Sequence, residues 1–141
     1  MLNDMEDKAP NANPLTETMI KTGEKIHGYD IRKGLAEVDN DFESWLELTR
    51  IFIDSTPGIL ETLKVQCEEN DPQYPVTVHG IKGVCYTVGA MDAGDKAKGL
   101  ELRSKAGNTV FVHDNTGNLI STIEKLIVDL TTLLEDITGD R

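Results

Sequence analysis

The chain has 141 residues, a formal net charge of −11, 38% hydrophobic residues and only 5% aromatic ones. That composition suits one domain with a modest aliphatic core. It argues against a nucleic-acid partner, because no basic stripe is present to displace phosphate counterions. No apolar run approaches the ~18–20 residues that span a bilayer, so no membrane segment is expected. The first residues lack a basic stretch followed by an apolar one, so no secretory signal is expected and a cytoplasmic location is the default. The two cysteines, Cys67 and Cys85, are too few for a disulfide framework and sit at apolar helical positions, which reads as buried, reduced thiols. The acidity keeps the chain dispersed in water or steers a partner whose docking face is more basic.

Met1 to Asn13 is polar and reads as a disordered arm. A short helix after Pro14 would use Leu15, Met19 and Ile20, and His27-Gly28-Tyr29 would break it. Residues 1–25 are therefore an arm or linker with room for one short helix. Asp30 is a candidate N-cap for a brief helical segment, Ile31 to Val38. From Phe42 to about Glu69, Trp45, Leu48, Phe52, Ile59, Leu63 and Cys67 keep helical spacing along one stripe, with Leu60 alongside. Pro57 interrupts it, but the stripe resumes in phase, which predicts one kinked helix.

Asn70-Asp71-Pro72 is a turn, and Pro75 suits an early helical position. The next helix carries His79 and closes at Gly89. Ala90 to about Lys105 forms a further helix, although Gly94 and Gly99 each cost about 1 kcal/mol relative to alanine. Ala106-Gly107-Asn108 is a loop. In the last helix Leu119, Ile123, Leu126, Leu130, Leu133 and Ile137 alternate steps of four and three, and Ile120, Ile127 and Leu134 widen the stripe. With no period-2 pattern, the fold class is all-α, an antiparallel bundle with short loops.

Residues 79–90 carry the chemistry. At about 100° per residue, Val78, Ile81, Val84, Cys85 and Val88 share one apolar arc. His79 lies opposite, with Lys82 at i+3, Gly83 at i+4 and Tyr86 at i+7 beside it. On their own, His79 and Lys82 read as a solvated surface pair. A glycine inside a helix and next to an imidazole asks for a reason. An outward neutral imidazole is a nucleophile, a nearby ammonium stabilises an anion, and the absent side chain leaves room for approach. Those are the requirements of a phosphoryl acceptor. Tyr86 reads equally as the rim of a docking surface or as an exposed aromatic.

His79-x-Ile81-Lys82-Gly83, followed by Gly89-Ala90, resembles the His-x-Leu-Lys-Gly and Gly-Ala signature of histidine phosphotransfer (HPt) domains. Asp30-Ile31-Arg32-Lys33-Gly34-Leu35 with the acidic turn Asp39-Asn40-Asp41 is similar to the leading segment of that family. Trp45 to Leu63, with Pro57 inside, is similar to its proline-bearing helix. The resemblance covers roughly Ile26 to Ile137, and a domain of residues 26–138 is expected. It implies a four-helix bundle that relays phosphoryl groups between receiver-domain aspartates. By position His79 is the phosphoryl acceptor, Lys82 the phosphate contact and Gly83 the clearance residue, while Val76, Gly80 and Tyr86 would meet the partner. Val84-Cys85-Tyr86 is bulkier than the small residues common in the family, and Gly80 and Gly99 are unusual for helix interiors.

What is missing sharpens the expectation. Gly80 can do no acid–base work, and no Gly-rich nucleotide motif is present, so the chain is expected to be no enzyme and not to phosphorylate itself from ATP. It would bind no cofactor, with Mg2+ expected on the receiver partner. Its partners would be response-regulator receiver domains or a hybrid sensor histidine kinase, and a monomer is expected. His27, His113, Cys67 and Cys85 show no metal-ligand spacing, and Glu68, Glu69 and Asp71 read as a solvated helix end. Two rivals stand beside this reading: a helical adaptor that accepts no phosphate, and the phospho-accepting module of a chemotaxis-type kinase.

Overall fold

The computed structural model describes residues 14–139. Among them run six helices and no strand: α1 (Pro14–Gly23), α2 (Ile31–Glu37), α3 (Phe42–Glu69), α4 (Tyr74–Val88), α5 (Met91–Lys105) and α6 (Thr109–Thr138). The polar arm read for residues 1–13 lies outside the described residues, as does the side chain of Leu15.

Helices α3 to α6 form the bundle. Each packs on its chain neighbour, and α6 returns against α3, so the four close into a ring. The loops at 70–73, 89–90 and 106–108 are too short for anything but antiparallel neighbours. Cross-links agree: the Tyr86 hydroxyl donates to Asp95 Oδ1 at 2.6 Å between α4 and α5, and Lys96 Nζ donates to Thr122 Oγ1 at 2.9 Å between α5 and α6.

Local chemistry starts and stops these helices. Asp30, Asp41 and Asn108 accept from the backbone N–H groups of Lys33, Ser44 and Phe111 at 3.2, 3.0 and 3.1 Å. Each such N-cap is worth about 1 kcal/mol. Helix α3 continues through Pro57, which is exposed, because Trp45, Phe52, Leu60 and Leu63 are buried on both sides of it. A proline forfeits one backbone bond, whereas each fully buried apolar side chain returns about 1.5–3 kcal/mol. Burial wins.

The end of α4 is fixed by α2. The Asp30 N–H donates to the Gly89 carbonyl at 2.7 Å. Gly89 has φ +94°, and a Cβ there would strike the Asp30 carbonyl oxygen; a Cβ on Gly34 would come within 2.6 Å of the Val88 carbonyl oxygen. Only glycine fits either position. Trp45, fully buried, donates from Nε1 to the Tyr29 hydroxyl at 3.2 Å.

Several expectations change. Ile59 and Val84 are exposed, at 38% and 40%. Thr56, Leu60 and Leu63 fill the inner arc of α3, and Ile81, Cys85 and Val88 that of α4, so Ile59 and Val84 fall at its edge. Cys85 is buried, but Cys67 is only half-buried. The short helix after Pro14 is present as α1, which packs on α6 and α2 with Met19 fully buried and Ile20 nearly so. The core therefore reaches into the segment read as an arm or linker.

Truncating Trp45→Ala should cost about 3–5 kcal/mol of stability, read as a lowered denaturant midpoint followed by circular dichroism. A midpoint within error of wild type would show that the α2–α3 corner is not part of the cooperative core.

Candidate functional site

Helix α4 turns its apolar arc inward, with Val78, Ile81, Cys85 and Val88 buried. Helical geometry then leaves residue 79 outside. The His79 side chain is 63% exposed. Beside it, an added Cβ on Gly80 or Gly83 would meet no atom within 4 Å, so both glycines open directly onto free space.

The ring is held from α5. Ala93, Ala97 and Leu100 form the buried face of that helix, and Glu101 shares it, its side chain only 6% exposed. Three groups converge on that carboxylate. His79 Nδ1 lies 2.8 Å from Oε2, Lys105 Nζ 2.8 Å from the same oxygen, and Lys82 Nζ 2.8 Å from Oε1. The ammonium groups of Lys105 and then Lys82 push the Glu101 pKa down to about 2, against the opposing effect of burial, with His79 contributing last. Glu101 is therefore ionised at neutral pH and can only accept hydrogen bonds. The hydrogen-bond network accordingly assigns the His79 proton to Nδ1, which donates to Oε2. In the neutral ring, the lone pair is then on Nε2.

Lys82 is three-quarters covered and Lys105 largely exposed. Two ammonium groups thus share the acid that holds the ring, Lys82 expected from the sequence and Lys105 not. Glu101 and Lys105 lie on α5, and nothing in the pattern of α4 alone points to them. The signal was there: Glu101 is an acid in register with Ala93, Ala97 and Leu100, followed by a lysine at i+4.

On the other flank of His79, α3 and α4 frame an open groove of about 500 Å3. It is lined by Leu48, Ile51, Phe52, Ser55, Thr56 and Ile59 from α3, and by His79, Gly80, Gly83, Val84, Thr87 and Val88 from α4. None of these carries a formal charge other than the histidine, in a chain whose residues are 28% charged. Of the residues expected to meet a partner, Gly80 lines this groove and Val76 is exposed one turn before His79. Tyr86 turns the other way. Its ring lies over Gly94, where a Cβ would come within 2.5 Å of it, and its hydroxyl is bound to Asp95. The glycine that weakens α5 is thus a seat for an aromatic ring.

His27 and His113 stand apart, and His113 Nε2 is 2.8 Å from Asn70 Oδ1. Among the described residues no three His, Cys, Asp or Glu side chains are placed to hold a metal ion, and no helix is long and apolar enough to cross a membrane. Compared with protein-family models, curated proteins and solved structures, the chain finds no match.

Because Glu101 is held ionised below its ordinary value of 4.5, its contribution to stability is complete above that value. It should be lost as pH falls from about 4.5 towards about 2. Urea midpoints of wild type and Glu101→Gln should differ at neutral pH and converge over that acid range. A gap independent of pH would show that the carboxylate network does not act through its charge.

Proposed function

We propose that this chain is a phosphoryl carrier of the HPt type, with His79 as the acceptor. The observation that carries the proposal is the paired state of the ring. Nδ1 is engaged by an ionised carboxylate, while the other nitrogen belongs to a side chain that is mostly in water. The reaction needs little else from the carrier. The Nε2 lone pair attacks the phosphorus of a partner's aspartyl phosphate, the N–P bond forms, the P–O bond breaks and the aspartate carboxylate leaves. No proton has to move, because Nε2 is already bare. Phosphoryl transfer is governed by in-line positioning and by charge on the equatorial oxygens. Gly83 leaves the approach open, and Lys82 and Lys105 supply positive potential beside it. The Mg2+ such a transfer uses belongs with the acidic residues of the donor.

The groove gives the donor a place to sit. Interface cores are depleted of charge, and the residues lining the α3–α4 groove carry no acidic or basic side chain besides His79. Ile51, Ile59 and Val84 stand exposed on that face, with Ser55, Gly80 and Gly83 between them. We take a response-regulator receiver domain, alone or within a hybrid sensor kinase, as the partner. A helical adaptor could use the same groove but would have no need of the paired imidazole.

Incubation with a phosphorylated receiver domain should place an acid-labile, alkali-stable phosphate on the wild-type chain. His79→Gln should take none while keeping wild-type helicity, since the side chain lies outside the core and Lys82 and Lys105 still pair with Glu101. Labelling of that variant would move the acceptor elsewhere, and a wild-type chain that binds the receiver without gaining label would establish the adaptor. Ile59→Asp, at the edge of the groove, should slow transfer by about tenfold or more, or about 1.4 kcal/mol of lost docking, with helicity unchanged. Transfer at the wild-type rate would exclude the groove as the docking face.

A further inference from the structure

Building on the proposed carrier role, we infer that Glu101 keeps the proton on Nδ1 of His79 after the ring is phosphorylated, holding the phosphohistidine in its cationic, readily cleaved form. The argument is one of local charge. Around the free ring stand one carboxylate and two ammonium groups, from Glu101, Lys82 and Lys105. Their surplus is positive. A phosphoryl group on Nε2 brings about two negative charges within a few ångströms. The surplus then becomes negative, and a cationic ring restores the balance. Glu101 Oε2, 2.8 Å from Nδ1, is the acceptor already in place for that N–H.

Among the described residues, the hydrogen bond and ion pair of the ring go to Glu101. The α3 residues along the groove are Leu48, Ile51, Phe52, Ser55, Thr56 and Ile59. Helix α2 meets α4 at Gly34 and Val88, at the far end. The site thus favours a protonated ring once it is loaded.

The consequence is chemical. When a receiver carboxylate attacks the phosphorus, the N–P bond breaks and its electron pair returns to Nε2. If Nδ1 still carries its proton, the departing group is neutral imidazole rather than the far poorer imidazolate. Glu101 is a positioning residue in this scheme, acting through His79 and not on the phosphoryl group. A carrier built this way passes its cargo on quickly and does not store it.

Potassium phosphoramidate tests this without a partner protein. Histidine Nε2 attacks its phosphorus, the P–N bond of the reagent breaks and ammonia leaves. His27 and His113, exposed on the same molecule, serve as internal references. Loss of phosphate from each site is then followed by peptide-resolved mass spectrometry from about pH 5 to about pH 9. The rate should fall with rising pH at every site, but for His79 the fall should lie about one pH unit or more higher than for the references. In Glu101→Gln it should drop to theirs, with a roughly tenfold longer half-life at alkaline pH. Lys105→Gln keeps the Glu101 contact and removes a cation, so the fall should move upward instead. Profiles that coincide in wild type and Glu101→Gln, or a downward move in Lys105→Gln, overturn the inference. Phosphate on His27 with none on His79 would overturn the carrier reading itself, and this inference with it.

Discussion

A carboxylate buried between two helices is a liability unless its oxygens are occupied. Glu101 meets that condition with two ammonium groups and an imidazole, and the arrangement ties α4 to α5. The tie has a direction. It draws on His79 and Lys82 from one helix and on Lys105 from its own, so the position and tautomer of the ring follow from the packing of α5. Remove the acid and the histidine is still on the surface, but nothing specifies which nitrogen faces outward.

The larger features were legible from the residues. Steps of three and four from Leu119 to Ile137 give α6 almost its full apolar stripe, and the phase of Val78, Ile81, Cys85 and Val88 places His79 outside. Periodicity suffices there because one face of each helix is dry. It fails at the margins. Ile59 and Val84 have the right residue type and nearly the right angle, yet the burial arc of a helix in a four-membered ring ends before it reaches them. One helix read in isolation cannot show where that arc ends, since the limit is set by the neighbour.

Glu101 and Gly94 were hidden for a related reason. Each is explained by a side chain on α4, His79 in one case and Tyr86 in the other, that reaches across to it. A pattern confined to α5 registers only an acid where an alanine would do and a glycine that weakens a helix. The glycines at 34 and 89 are a different matter, because their close approach to another backbone follows from how α2 is threaded against the end of α4.

The charge-free groove beside His79 lies in a protein that is otherwise strongly anionic. Electrostatic attraction and repulsion between such a molecule and a visitor act over a Debye length of about 8 Å at physiological salt, and weaken as ions are added. Contact between apolar side chains has no such dependence at moderate ionic strength. Arrival at this face and residence on it are thus governed by separate forces, so salt can alter how often a visitor comes without altering how long it stays.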